Sequence, residues 1–338
     1  MNLTDTKDIV IFAYLSVLTA DSKGMAAIKG VNTAVNIQTK PCHICEISYE
    51  NLRAAIGNRH LLQLRDATYW DRILRSNSLQ VGPPVNASVK ASLEENGLTH
   101  VSGLLHFPGG STAMSFSPVD IQHLFFEGTL KSHTIDIVSA SIVDDRKWSL
   151  ITSELRKAAF LNYLTANTTV RSIEELRGKT AYEYKLISMV LPFIILKHDL
   201  LRGQPNYVFT EYLTHVAVAR ISSQHIVTVG EVLTLKELVP LVANMYAQRN
   251  AILGGNHHLL LHVLDSLGSV GSLTNVAVWA NEENNGFLKS IANNHNGKEV
   301  ALTMLERSYL STLYNLFQEH ASVSEGSAEG SIRREGEA

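Results

Sequence analysis

The amino-acid sequence predicts a mainly α, two-lobed helical protein with a few short strands in its N-terminal part. Three observations carry that prediction. The 338 residues are 45% hydrophobic and 18% charged, which supplies a large core and excludes a disordered chain. Before residue 145 the apolar residues recur with mixed helical and alternating periods, and after it nearly every segment has a helical period. The last stretch, "ASVSEGSAEGSIRREGEA", is small, polar and mostly acidic, too poor in apolar surface to order itself. These give an N-terminal lobe over 1–145, a helical lobe over 146–320 and a flexible tail over 321–338.

The elements follow in chain order. "IVIFAYLSVLTA", residues 9–20, reads as a buried first helix capped by Thr4 or Asp5. It is too short to span a bilayer, as is "MVLPFIIL" at 189–196, and Asp5 and Asp8 beside Lys7 do not make the basic leader of a signal peptide. No membrane insertion is expected, a soluble intracellular chain is the default, and the sequons at Asn2, Asn86 and Asn167 read as chance matches. "YENLRAAIG" and "ATYWDRILRS" have helical spacing. "SPVDIQHLFFEG" opens as a helix would, with Ser117 as N-cap and Pro118 in the first turn. "LTHVSGLLHF" and "HTIDIVSASIV" alternate or run β-branched, as strands do. After residue 145, Trp148, Ile151, Leu155, Ala158 and Ala159 share one side of a helix. A long apolar helix follows through Pro192, a kink position, to a stop at Gly203. "NYVFTEYLTHVAVAR", "TLKELVPLVANMYAQRNAILGG" and "KEVALTMLERSYLSTLYNLFQEH" complete the helical set.

Charge is unevenly placed. The chain carries a net −3, which excludes a globally basic nucleic-acid binder, yet residues 146–202 hold ten cations against five acids. Arg171, Arg177, Lys179 and Lys185 crowd around Tyr182 and Tyr184 in "RSIEELRGKTAYEYK". The "RGKT" within it is not a phosphate loop. Five residues before Gly178 stands Ile173 rather than glycine, and Glu174 and Glu175 would repel a nucleotide. The block reads either as an anion groove or as solvated helix faces.

Motifs for chemistry are sparse. The only two cysteines, Cys42 and Cys45 in "PCHIC", cannot form a disulfide framework. CxxC alone is half a zinc site, and no second close Cys/His pair follows it, so the pair reads as two partly buried structural thiols, with zinc or redox chemistry the alternative. In "ILGGNHHLLLHVLDS", His258 and His262 have i, i+4 spacing, but Leu259 stands where a zincin needs glutamate. A core helix with Gly254, Gly255 and Asn256 at its start is the reading there, and a metal or acid/base site the alternative, the latter around His257, His258 and Asp265. No nucleophile elbow appears. The sequence therefore predicts no catalytic residue, no metal ligand and no cofactor.

A mixed N-terminal part, a cationic block near the junction, the helical texture from "NYVFTEYL" to "SLTNVAVWANEENN" and an acidic tail together resemble the nucleoproteins of negative-strand RNA viruses. The resemblance implies a two-lobed clamp coating single-stranded RNA as a homo-oligomer, in the virion and the host cytoplasm or nucleus, with a viral polymerase or phosphoprotein as partner. Candidate RNA-binding residues are Arg156, Lys157, Arg171, Arg177, Lys179, Tyr182, Lys185, Arg202 and Arg220: cations to neutralise phosphates, and an aromatic to stack a base. A viral coat protein dominated by self-assembly, and a soluble enzyme with an unrecognised site, are the rival readings.

Overall fold

The computed structural model describes residues 22–32, 40–76, 82–84, 86–141, 145–157, 170–203, 205–249 and 255–277. All lie in one compact unit, 1–278, and residues 279–338 form a second unit. The expected first helix at 9–20, the last helix at 298–320 and the tail at 321–338 fall outside the described residues.

The described chain is mainly helical. Its helices are α1 (Ser22–Lys29), α2 (Ala54–Gly57), α3 (Ala67–Ser76), α4 (Ala87–Glu95), α5 (Gly110–Ser115), α6 (Thr129–Ser141), α7 (Asp145–Lys157), α8 (Ile173–Arg177), α9 (Ala181–Lys197), α10 (Asn206–Ser222), α11 (Val229–Arg249), α12 (Gly255–Leu259) and α13 (Val263–Val270). None of the described helices is long and apolar enough to cross a membrane. The expected short strands reduce, among the described residues, to isolated bridges at Val31–Leu98, Cys45–Leu64 and Gly82–Val101, with no sheet.

The first core forms around α3. Tyr69, Trp70 and Ile73 sit on its buried side, with Asp71, Arg72 and Arg75 turned outward, and the Asp66 carboxylate caps it by accepting from the Tyr69 amide at 2.8 Å. Val31, Leu93, Leu98, Val101, Leu105 and Met114 close over that face. Asn86, one of the sequon residues, caps α4 through the Val89 amide at 2.9 Å. Gly110 opens α5 against backbone: a Cβ there would stand 2.0 Å from the Leu104 carbonyl oxygen, so only glycine fits.

Two local expectations are corrected. "HTIDIVSAS" is not a strand but most of α6. Leu130, His133 and Thr134 are all buried there, the i, i+3, i+4 spacing of a helix face, and tertiary packing overrides the β-branched composition. Ser117 is not an N-cap. Its hydroxyl donates back to the Met114 carbonyl at 3.1 Å, and Asp120 takes the capping role through the Gln122 and His123 amides. A π-helical turn, Gln122–Phe126, follows.

The stretch "RSIEELRGKTAYEYK" is two helix starts in succession. Ser172 caps α8 through the Glu175 amide, and Thr180 and Glu183 form a reciprocal capping box on α9. Glu174 and Glu175 lie in the first turn of α8, where a helix favours negative charge. The helix α9 runs without a break past Pro192 to Lys197 and buries Tyr184, Ile187, Leu191 and Ile195.

Helices α6, α10 and α11 meet around a buried polar knot. His133 and His215 face each other at 3.1 Å between Nδ1 atoms, His215 Nε2 lies 3.1 Å from the Thr129 hydroxyl, and the Tyr246 hydroxyl donates to the Thr129 carbonyl at 2.6 Å. Burial, then the Arg249 charge, hold His133 down at about 3, and burial and His133 hold His215 well below the ordinary range. Both are therefore neutral in the fold. Unfolded histidines take up protons below about 6.5, so the folded state loses stability as pH falls from there toward 3, by up to about 1.4 kcal/mol per pH unit per histidine. The melting temperature should fall steeply below pH 6.5. In His215→Gln that slope should be shallower than in the wild type, as scanning calorimetry from pH 7.5 to 5 would read directly.

Candidate metal centre

The two half-motifs that the sequence offers 213 residues apart meet in space. Cys42, Cys45, His258 and His262 place one ligand atom each within 4.8 Å of one another, and all four are buried. His258 Nε2 lies 3.2 Å from Cys45 Sγ and 3.1 Å from His262 Nε2. A tetrahedron with Zn–S near 2.3 Å and Zn–N near 2.0–2.1 Å has edges of roughly 3.3–3.8 Å, so small adjustments would seat an ion among these atoms. Where the sequence predicts no metal ligand, the structure brings together the donor set that a Cys2His2 site would use. Each pair alone is only half a site.

Local structure explains how each pair is held. On the cysteine side, the loop is strapped by Arg65, which is almost fully buried. Its Nε donates to the carbonyls of Cys42 and Cys45, both at 3.1 Å, its Nη1 to Asn96 at 3.0 Å and its Nη2 to Lys40 at 3.2 Å. It also bonds the Tyr69 hydroxyl. Lys29, equally buried, donates to the His43 carbonyl at 2.9 Å and sits 5.6 Å from the Trp70 ring centre. The Ile44 amide donates to Cys42 Sγ at 3.3 Å, a bond that favours the thiolate. His43 itself is no ligand; burial, then the Lys29 charge, hold it neutral, down to about 3.

On the histidine side, α12 presents His258, and the 3-10 turn Leu260–His262 carries His262 onto the same face one turn later. The Asp265 carboxylate stands 3.1 Å from His262 Nδ1 and accepts from Arg59 at 2.7 Å. That arrangement leaves His262 Nε2 facing the cluster and fixes the ring, as carboxylates do for metal-bound histidines. His257 points elsewhere, against the Tyr246 ring at 4.0 Å between centres.

The electrostatics favour a cation. Burial raises a thiol, but at Cys42 the Cys45 hydrogen bond and the charges of His258 and His262 outweigh it and hold the thiol well below its ordinary value. Burial pushes Cys45 up, helped by its bond to Cys42. Burial lowers His258, whereas at His262 the Cys42 charge and the Asp265 bond overcome it and raise the imidazole to about 9. Without metal these shifts favour negative charge on Cys42 and positive charge on His262, with the cluster's remaining protons on Cys45 and the imidazoles. A divalent ion would replace those protons, and two thiolates would neutralise it. Four protein ligands close the coordination sphere, which is the arrangement of a structural site rather than a catalytic one.

The candidate RNA-binding residues are dispersed. Arg156, Lys157 and Arg171 line one cavity with Ser149, Thr152 and Ser153. Arg177 is exposed in the last turn of α8, and Arg202 is exposed beyond α9. Lys179 pairs with Glu183 at 3.7 Å, and Lys185 lies half-buried with its ammonium 5.9 Å from the Phe126 ring centre. Tyr182 is exposed, whereas Tyr184 is fully buried and donates to the Leu130 carbonyl at 3.3 Å. Arg220 lines a different, apolar cleft with Phe126, Met189, Phe193 and Phe209. Asp265 already stands out in the sequence beside the histidines; what the sequence does not reveal is the supporting role of Lys29, Arg59 and Arg65, since a buried cation such as Lys29 or Arg65 carries no sequence signature. Comparison with family models, curated proteins and solved structures finds no match for this chain.

Proposed function

We propose that the protein is a zinc-structured nucleic-acid-binding protein. The observation that carries the metal part is the buried tetrad Cys42, Cys45, His258 and His262, with its own orienting carboxylate at Asp265. In this reading the ion staples the 40–46 loop to α12 and the turn after it, and so fixes the helical framework that displays the cations of 146–202. The likeness to viral nucleoproteins supports single-stranded RNA as the polymer and a homo-oligomeric coat as the working form. The same geometry weighs against an acid/base site at His257, His258 and Asp265, because His258 faces a thiol, His257 packs on Tyr246, and Asp265 is engaged by Arg59 and His262.

Two measurements test the two parts separately. Metal-free chain, prepared by chelation under reducing conditions, should bind Co2+ with the intense visible bands of a tetrahedral sulfur-nitrogen site, and Zn2+ should abolish them; weak octahedral bands would refute the tetrad as a site. Protein purified from a heterologous host should carry nucleic acid, read as a raised 260/280 nm absorbance ratio, in rings or filaments. Empty particles would favour a self-assembling coat protein, and a small, nucleic-acid-free species that also ignores added oligonucleotide would refute the binding reading.

A further inference from the structure

We infer that the cavity on the outer face of α7 is a phosphate pocket, built by Arg156 and Lys157 from one side and Arg171 from the other. The inference rests on the nucleic-acid reading for the source of the phosphate, and names the place where the backbone is held. Ser149, Thr152, Ser153 and Arg156 recur at helical spacing along α7, so hydroxyls and a guanidinium share one wall. Arg171 supplies the opposite wall, and it is not loosely placed. The Thr152 hydroxyl donates to the Val170 carbonyl at 2.5 Å, which ties the segment before α8 to the middle of α7. The cavity measures about 490 Å³, within the range of small-molecule sites. Its described lining is three cations and three hydroxyl side chains, with no carboxylate among them.

Charge bookkeeping over the neighbourhood leaves a surplus. Glu154 is the nearest acid on α7, but it serves Lys157 at 3.0 Å, Lys197 at 2.8 Å and His198 at 3.6 Å at once. Glu175 stands 3.9 Å from Arg171 and also accepts from the Arg171 amide at 2.7 Å. Arg156, Lys157, Arg171 and Lys197 thus face two carboxylates, and among the described residues Arg156 takes part in no ion pair. Two guanidiniums lining one cavity, with the Ser149 and Ser153 hydroxyls beside them, suit the three or four oxygens of a phosphate better than a carboxylate or a halide. The uncompensated charge equals that of one phosphate dianion or two backbone phosphodiesters.

The source of the phosphate is decided by competition. The full-length chain would be titrated with a fluorescent single-stranded RNA, an equal-length duplex DNA, and inorganic phosphate, beside the double variant Arg156→Ala, Arg171→Ala. Both side chains are exposed, so the variant should melt as the wild type does, which circular dichroism checks. The inference predicts that RNA affinity falls about tenfold at moderate salt and that the slope of log affinity against log salt becomes shallower by about 1.4, two contacts at about 0.7 each. Wild-type RNA binding with an unchanged slope in the variant would overturn the pocket and leave the nucleic-acid reading standing. Phosphate binding that the variant abolishes, with no binding of either polymer, would keep the pocket and overturn the nucleic-acid reading. No binding of any of the three would overturn both.

Discussion

Replacing Cys42 and Cys45 together by serine is expected to abolish zinc binding and, with it, cooperative unfolding of the described helical unit. Structural zinc contributes an apparent ~10–16 kcal/mol in small zinc peptides at neutral pH, whereas whole domains are stable by only about 5–15 kcal/mol. Even partial coupling of metal to fold would therefore remove most of the margin. The two cysteines lie in a loop with no helix of its own, held by one backbone bridge to Leu64 and by two buried cations, Lys29 and Arg65. Without thiolates and metal, the link between this loop and the histidine turn is lost, and the buried cations that remain are a poor substitute: burial already holds Lys29 down at about 7, with Arg65 adding to the effect. Far-ultraviolet dichroism and a thermal melt should show loss of a sharp transition, and metal analysis should find no zinc. A double variant that melts as sharply as the wild type would mean the tetrad is an ordinary buried cluster. Asp265→Asn should act more mildly, lowering zinc affinity about 10–100-fold through the loss of the carboxylate that orients His262, with the fold retained at saturating zinc.

The second large effect is expected at Arg65. Its guanidinium, almost fully buried, donates to the carbonyls of Lys40, Cys42, Cys45 and Asn96. Arg65→Leu leaves the buried carbonyls of Cys42 and Cys45 without this donor and removes its bonds to Lys40 and Asn96, and each unsatisfied buried group costs about 1–3 kcal/mol. A loss on the order of 4 kcal/mol or more follows, read as a shift of the urea midpoint with an unchanged slope. Arg65→Lys should not rescue it, because a single ammonium cannot reach four carbonyls set around a planar fork. If Arg65→Lys proved as stable as wild type, the loop would be held by something other than this side chain.

Much of the helical framework was legible because its signals are local. The buried faces of α3, α7 and α9, the breaks around Gly203 and the start of a helix near Gly255 follow from spacing, caps and turn residues. The strand reading of "HTIDIVSAS" failed because β-branched residues satisfy either element when buried, and only the packing of Leu130, His133 and Thr134 against other helices decides it. The metal centre was half legible. Cys42 and Cys45 bring two ligands to one loop, and His258 and His262 bring two to one helical face, each by short-range spacing. Their meeting depends on a tertiary contact that no local pattern encodes. The leucines at 259–261 disguised the histidines further, since a buried ligand helix and a buried core helix have the same apolar pattern. The cationic block told a similar story. Its surplus was visible in composition, yet Lys179 is tied to Glu183 and Lys185 lies over Phe126, while Arg156, Lys157 and Arg171 share a cavity. Individual side-chain partners, local for Lys179 and across elements for Lys185, make that distinction, not charge counts.

The measurement that tests the account most directly is the metal content of the full-length chain, purified under reducing conditions without chelator and examined by elemental analysis and zinc X-ray absorption. The account predicts one zinc per folded chain, with two sulfur neighbours near 2.3 Å and two nitrogen neighbours near 2.0–2.1 Å. A folded, monodisperse chain that holds no zinc and takes up none on addition, or zinc bound without sulfur neighbours, would contradict it.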